Sequence, residues 1–207
     1  MRYHLDRPVQ VESSPALVLL GLDAVGAGDA RSVSAFRSDG LLHPASDAVT
    51  SLFLTAFVAL VALLCALVVG GGRGVPHRGG HGEDAAALRT PLAAAPSDAR
   101  TLILASLAAC AGFALFGKVL SPQFVIWVLP LGALAFAWRM HALAAAVALV
   151  AGLTQIEFPA HYFDVVAREP LAVGLVAARN LALAAAIVLS VRELRAMRRS
   201  PERALAR

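Results

Sequence analysis

Residues 49–70 read Val-Thr-Ser-Leu-Phe-Leu-Thr-Ala-Phe-Val-Ala-Leu-Val-Ala-Leu-Leu-Cys-Ala-Leu-Val-Val-Gly, with Ser51, Thr55 and Cys65 among the few polar interruptions. An apolar run of this length spans the ~30 Å hydrocarbon layer as a helix. Helices satisfy their own backbone hydrogen bonds, which hydrocarbon requires. The rest of the chain agrees with that reading. Only 15% of its 207 residues are charged and 58% are hydrophobic, where a soluble domain carries about a quarter charged residues. A soluble globular enzyme is excluded on composition.

Working outward, four more apolar segments follow: approximately 101–117, 122–138, 141–157 and 170–191. The expected fold class is all-α, a polytopic integral membrane helical bundle of about five membrane helices. Residues 1–47 form a segment with a short helix near 15–27 and loop over 28–47. Residues 48–192 form the transmembrane region, interrupted by a Gly-, Pro- and His-rich loop at 71–100, and 193–207 form a basic tail. Pro130 predicts a kink in its helix. Segments of 16 to 17 residues lie at the lower edge for spanning, so one of them is expected to be partly re-entrant.

Basic residues orient the bundle. With the 71–100 loop in the cytoplasm, alternation puts Arg73, Arg78, Arg89, Arg100, Arg139 and the tail arginines on one side. Residues 1–47, Lys118 and 157–169 then face outward. The expected location is the plasma membrane, in a multi-pass arrangement. No signal peptide precedes 1–47, so the chain reads as the C-terminal part of a longer polytopic protein.

The net charge of +4 gathers in the tail (Arg192, Arg195, Arg198, Arg199, Arg203 and Arg207), as an inside anchor would, so no nucleic acid is expected as a partner. Cys65 and Cys110 sit in apolar runs and read as small packed thiols. No nucleotide loop, metal-spaced ligand set or nucleophile elbow occurs, so neither a metal nor another cofactor is expected.

Four polar clusters carry the candidate chemistry. In the first, Tyr3-His4-Leu5-Asp6-Arg7 runs to Gln10, Glu12 and Ser13. If helical, it puts His4 and Arg7 on one face, able to hold an anion and move a proton; a solvated juxtamembrane turn is the other reading. The second is Gly117-Lys118-Val119-Leu120-Ser121-Pro122-Gln123, with Lys118 the sole lysine. Ser121 as N-cap and Pro122 at the first helical position would aim free amides at a phosphate beside Lys118. A capped helix with a snorkelling lysine fits equally.

The third cluster, Thr154-Gln155-Ile156-Glu157-Phe158-Pro159 with His161 and Tyr162, suits either interfacial anchoring or sugar stacking. The fourth is Arg179-Asn180 within the last apolar run. An arginine at membrane depth costs about 2.5–3.5 kcal/mol and calls for a partner. With no carboxylate assigned to that depth, a backbone carbonyl, a missing segment or an anionic lipid would serve.

These stretches resemble the C-terminal half of the family-87 glycosyltransferases, polytopic enzymes of the GT-C type. The resemblance rests on His4-Leu-Asp-Arg7-Pro-Val-Gln10-Val-Glu12-Ser13, on Gly117-Lys-Val-Leu-Ser-Pro-Gln-Phe-Val-Ile-Trp127, on Thr154-Gln-Ile-Glu-Phe-Pro159 with Tyr162, and on Arg179-Asn180. It implies sugar transfer, mannose above all, from a polyprenyl-phosphate donor to a glycan or glycolipid acceptor on the extracytoplasmic face. By motif it implies a substrate site lined by His4, Arg7, Gln10, Glu12, Lys118, Ser121, Gln123 and Tyr162, with Arg179 neutralising phosphate from below. It also implies that the principal catalytic carboxylate lies in an upstream outer loop that these residues do not supply. The chain departs from the family where Asp39-Gly40-Leu41 stands in place of a frequent Gly-Ser pair. A non-enzymatic membrane partner or a small transporter-like subunit is the alternative expectation.

Overall fold

The computed structural model describes residues 7–36, 38–69 and 96–199, so His4, the loop up to residue 95 and the chain after Arg199 lie outside the described residues. Strand β1 (Val9–Gln10) leads to helix α1 (Ser14–Ala24), then to β2 (Arg31–Ala35) and β3 (Ser38–Leu42). Helices α2 (Ser46–Val69), α3 (Pro96–Phe116), α4 (Val125–Ala137), α5 (His141–Glu157), α6 (Tyr162–Val166) and α7 (Pro170–Arg199) follow. A single 3-10 turn over Pro122–Phe124 feeds α4.

Mostly helical structure agrees with the sequence expectation, and three helices (α2, α3 and α7) are long and apolar enough to cross a membrane. At about 1.5 Å per residue, α4 and α5 reach roughly 20 and 26 Å, short of an ~30 Å hydrocarbon layer. They pack as a hairpin instead. The turn between them places Arg139 at φ 61°. Its N–H donates to Phe136 (2.8 Å) and that of Met140 to Ala135 (2.9 Å), which satisfies the last carbonyls of α4 in a Schellman ending. Gly132 allows the close approach, since a Cβ there would stand 2.6 Å from Val147 Cγ1 on α5.

One expectation is corrected. Residues 28–47 are not loop throughout: β2 and β3 pair antiparallel, Val33 opposite Gly40, and β1 adds to β3 with Val9 opposite Leu41. Leu41, 1% exposed, anchors this three-stranded sheet against the apolar cluster of Val9, Val11, Leu19 and Val165. Burial on one face makes strand pairing worth more than a solvated loop. Helix α7 runs to Arg199, because Leu194 is buried in the bundle core and Glu, Arg, Leu and Ala are good helix formers.

α7 is the central strut, packing along α3 and α5. At one end of the bundle, Arg198 Nη1 donates to the Ala66 carbonyl (3.3 Å) and Arg100 lies over the Trp138 ring at 5.5 Å. At the other end sit the sheet, α1 and α6. Arg168, at φ 64° between α6 and α7, ties this cap down: its Nη2 donates to the Ala30 carbonyl at 2.6 Å and its Nη1 stands 3.5 Å from Asp23.

Candidate functional site

The site is built where the N-terminal segment meets the bundle. Gln10 N–H donates to the Lys118 carbonyl (2.9 Å) and Lys118 Nζ donates to the Arg7 carbonyl (3.0 Å). Val11 N–H donates to the Asp39 carbonyl, and Ser13 Oγ donates back to the Gln10 carbonyl at 2.7 Å. Ser13 also caps α1, accepting from the Ala16 N–H, so a tight turn over 10–13 hands the chain from strand to helix. Val9–Gln10 is therefore strand, while the face expected to be shared by His4 and Arg7 involves His4, which lies outside the described residues.

A cavity of about 550 Å³ opens beside this turn, lined among others by Arg7, Gln10, Glu12, Ser121, Gln123 and Tyr162. Six of the nine residues singled out in the sequence thus meet around one space. Lys118 is next to it, bound to the Arg7 carbonyl. Ser121 has the extended backbone of an N-cap, but its side chain makes no capping bond. Its carbonyl instead accepts from the Phe124 N–H at 2.9 Å, so that amide is not free for an anion as expected.

Arg179 is corrected most. It does not line the cavity; it lies behind Glu12, 0% exposed. Nη1 donates to Glu157 Oε2 (3.0 Å) and stands 3.7 Å from Glu12 Oε1. Nη2 donates to the Glu12 carbonyl (2.7 Å), and Nε to Asn180 Oδ1 (3.2 Å). Asn180 Nδ2 donates to the same carbonyl at 3.4 Å. The guanidinium is spent on the protein. Of the three partners left open by the sequence, a backbone carbonyl is there, joined by two carboxylates that were not among them. Roughly 13 Å along α7 from Pro170, Arg179 meets Glu157 at the last turn of α5 and the turn that dips toward both.

The pairing was missed because Glu157 reads in sequence as one more residue of an interfacial cluster. A lone arginine in one apolar helix and a carboxylate ending another was the available signal.

Two carboxylates share one cation in a nearly dry place. Glu12, 1% exposed, accepts from Gln10 Nε2 at 2.7 Å, and its pKa is pushed up to about 7. Burial is the main cause and the Glu157 charge the next, outweighing the pull of Arg179 and of the Gln10 hydrogen bond. Tyr162 donates to Asp39 Oδ2 (2.9 Å) and accepts from the Asp39 N–H (3.4 Å). Burial, then the Asp39 hydrogen bond, pushes its phenol up to about 12.

Around the cavity, Arg7 Nε, Gln10 Oε1 and Glu12 Oε1 are buried without a hydrogen-bond partner among the described residues. A donor and two acceptors of cavity-lining residues thus stay unpaired, Glu12 Oε1 lying 3.7 Å from Arg179 Nη1. Among the described residues no three His, Cys, Asp or Glu side chains gather to hold a metal. The arrangement suits a ligand with both an anionic oxygen and hydroxyl groups. Comparison with protein-family models, curated proteins and solved structures gives no match.

Proposed function

We propose that this chain is the lipid-phosphate-binding, C-terminal portion of a multi-pass plasma-membrane glycosyltransferase. It acts on a polyprenyl-phosphate sugar donor, mannose being the sugar the resemblance suggests, and on a glycan or glycolipid acceptor at the extracytoplasmic face. The bundle is seated in the bilayer, with α2, α3 and α7 crossing it and the α4–α5 hairpin leaning on them. One observation carries the reading: Arg7, Gln10 and Glu12 from the N-terminal segment surround the same cavity as Ser121 and Gln123, next to Lys118, at one end of the apolar helices.

Such a place lets a prenyl chain stay in the hydrocarbon while its phosphate meets fixed positive charge. Arg7 offers a buried Nε–H without a partner, and Gln123 offers an amide. Departure of a lipid phosphate needs this kind of charge stabilisation. Arg179 serves the site from behind by holding the Glu12 turn in place.

The test is binding of decaprenyl phosphate to the purified chain in phosphatidylcholine nanodiscs, read by native mass spectrometry. Arg7→Ala and Gln123→Ala are expected to weaken binding by about ten-fold each, the worth of one charge-assisted hydrogen bond. Absence of binding, or binding indifferent to both changes, removes the reading. A non-enzymatic membrane partner is the second reading. It is favoured by α2, whose most apolar stretch is only 11% buried within the chain.

A further inference from the structure

A second cavity, of about 470 Å³, opens between α1 and α7 and shares no lining residue with the first. Its polarity is divided. At one end stand Asp23 of α1 and Arg168 of the link to α7, 3.5 Å apart and 30% and 31% exposed. The rest of the wall is apolar: Leu20 of α1, with Pro170, Val173, Gly174 and Ala177 of α7.

The four α7 residues fall at i, i+3, i+4 and i+7, one stripe of the helix that runs about 10 Å from Pro170 to Ala177. The same stripe continues to Leu181 and Val188, 71% and 56% exposed, so the groove opens sideways and not into the bundle core. Gly174 keeps it open, since a Cβ there would meet nothing within 4 Å. Arg168 precedes the start of α7, a helix apolar enough to cross a membrane. With α7 in a bilayer, the charged pair therefore stands at headgroup level and the stripe below it at hydrocarbon depth.

Both charges are fixed in place. Arg168 Nη2 donates to the Ala30 carbonyl at 2.6 Å and to Ser32 Oγ at 3.3 Å, and Asp23 Oδ1 accepts from the Ala30 N–H at 3.2 Å. An anionic headgroup would be attracted by one of the pair and repelled by the other. A zwitterion satisfies both, and an ammonium with N–H donors serves the carboxylate better than a quaternary one. A packed apolar helix would instead dry the pair, which costs more than the contact returns.

We propose that this groove binds one zwitterionic phospholipid of the phosphatidylethanolamine type. Its phosphate lies at Arg168, its ammonium at Asp23, and one acyl chain follows the α7 stripe past Gly174. The lipid clamps α1, and with it the sheet, to the bundle. This site needs a bilayer around α7 and nothing from the transfer reading.

The experiment is native mass spectrometry of the purified chain in detergent, titrated with equal amounts of dioleoyl phosphatidylethanolamine, phosphatidylcholine or phosphatidylglycerol. One phosphatidylethanolamine is expected to be retained about ten-fold more tightly than either other lipid, the worth of one charge-assisted contact. Asp23→Asn is expected to bring the preference over phosphatidylglycerol down to about one. Gly174→Leu fills the groove and should weaken retention at least ten-fold. Its thermal midpoint without lipid should not fall, because leucine is the better helix former and meets open space. Equal retention of the three lipids, a preference for phosphatidylglycerol, or retention indifferent to Gly174→Leu overturns the proposal. So does a dimer that Gly174→Leu abolishes, which would assign the groove to a second copy of the chain. Decaprenyl phosphate binding tests the other cavity and leaves these outcomes unchanged.

Discussion

Arg179 Nη2 donates to the main-chain carbonyl of Glu12 at 2.7 Å, joining residues 167 positions apart. The bond places the charge of an apolar helix on the backbone of a turn outside the bundle. With Glu157 on Nη1, the arginine closes a buried knot between the N-terminal segment, α5 and α7.

Removing the arginine leaves two buried carboxyls facing each other. Arg179→Ala is expected to cost about 3–5 kcal/mol, the usual penalty for an uncompensated buried charge. Thermal unfolding in detergent should show a large drop in midpoint. Arg179→Lys should fall between, since it keeps the charge and loses the fork. An unchanged midpoint for the alanine variant would mean that the knot holds nothing together.

Stability should also depend on pH. The Glu12 carboxyl is raised from the ordinary 4.5 to about 7 in the folded chain. Between those values the folded state keeps a proton that the unfolded state has lost, so stability declines as pH rises from about 4.5 to about 7 and then levels. The expected span is about 3 kcal/mol. Glu12→Gln should flatten that limb. Unfolding midpoints compared at pH 5 and pH 8 for both proteins would show it, and an equally steep limb in Glu12→Gln would assign the dependence elsewhere.

The cap is tested more gently at Tyr162. Tyr162→Phe loses the hydrogen bond to Asp39 and should cost about 1 kcal/mol. In the parent protein, ultraviolet titration should find this phenol resistant to ionisation up to about pH 12. A normal phenolate transition near pH 10 for both tyrosines, Tyr3 and Tyr162, would contradict the burial.

Packing of the short hairpin depends on Gly132. A Cβ there would stand 2.6 Å from Val147 Cγ1, and the β-branched valine is stiff. Gly132→Ala should therefore destabilise by about 1–3 kcal/mol. The Val147→Ala, Gly132→Ala double variant should recover part of the loss, and failure to recover any would place the strain elsewhere.

Topology is open to direct labelling. With Cys65 and Cys110 replaced by serine, a cysteine at 118 should react with an impermeant maleimide added outside the cell, and one at 139 only after permeabilisation. The reverse pattern would put the cavity on the cytoplasmic side and end the outward-facing transfer reading.

Much of this molecule is legible along the chain. The five apolar segments are all helices, because a run of some twenty apolar residues has few other ways to satisfy its backbone. Arg7, Gln10, Glu12, Ser121, Gln123 and Tyr162 were readable as polar residues crowded beside apolar ends, and they do gather around one cavity. Composition, periodicity and the position of charge are local properties, so local reading reaches them.

Pairing is another matter. The sheet over 9–42 escapes a local reading because β1 is two residues long and joins β3 some thirty positions later. Nothing near Arg179 in the chain names Glu12 or Glu157 as its partners. A buried charge is matched by whatever the fold brings within about 3 Å, and that choice belongs to the packing of α7 against α5 and the N-terminal turn. The residues supplied the charges; their neutralisation, and with it which carboxyl faces the cavity, came from the way distant segments close on one another.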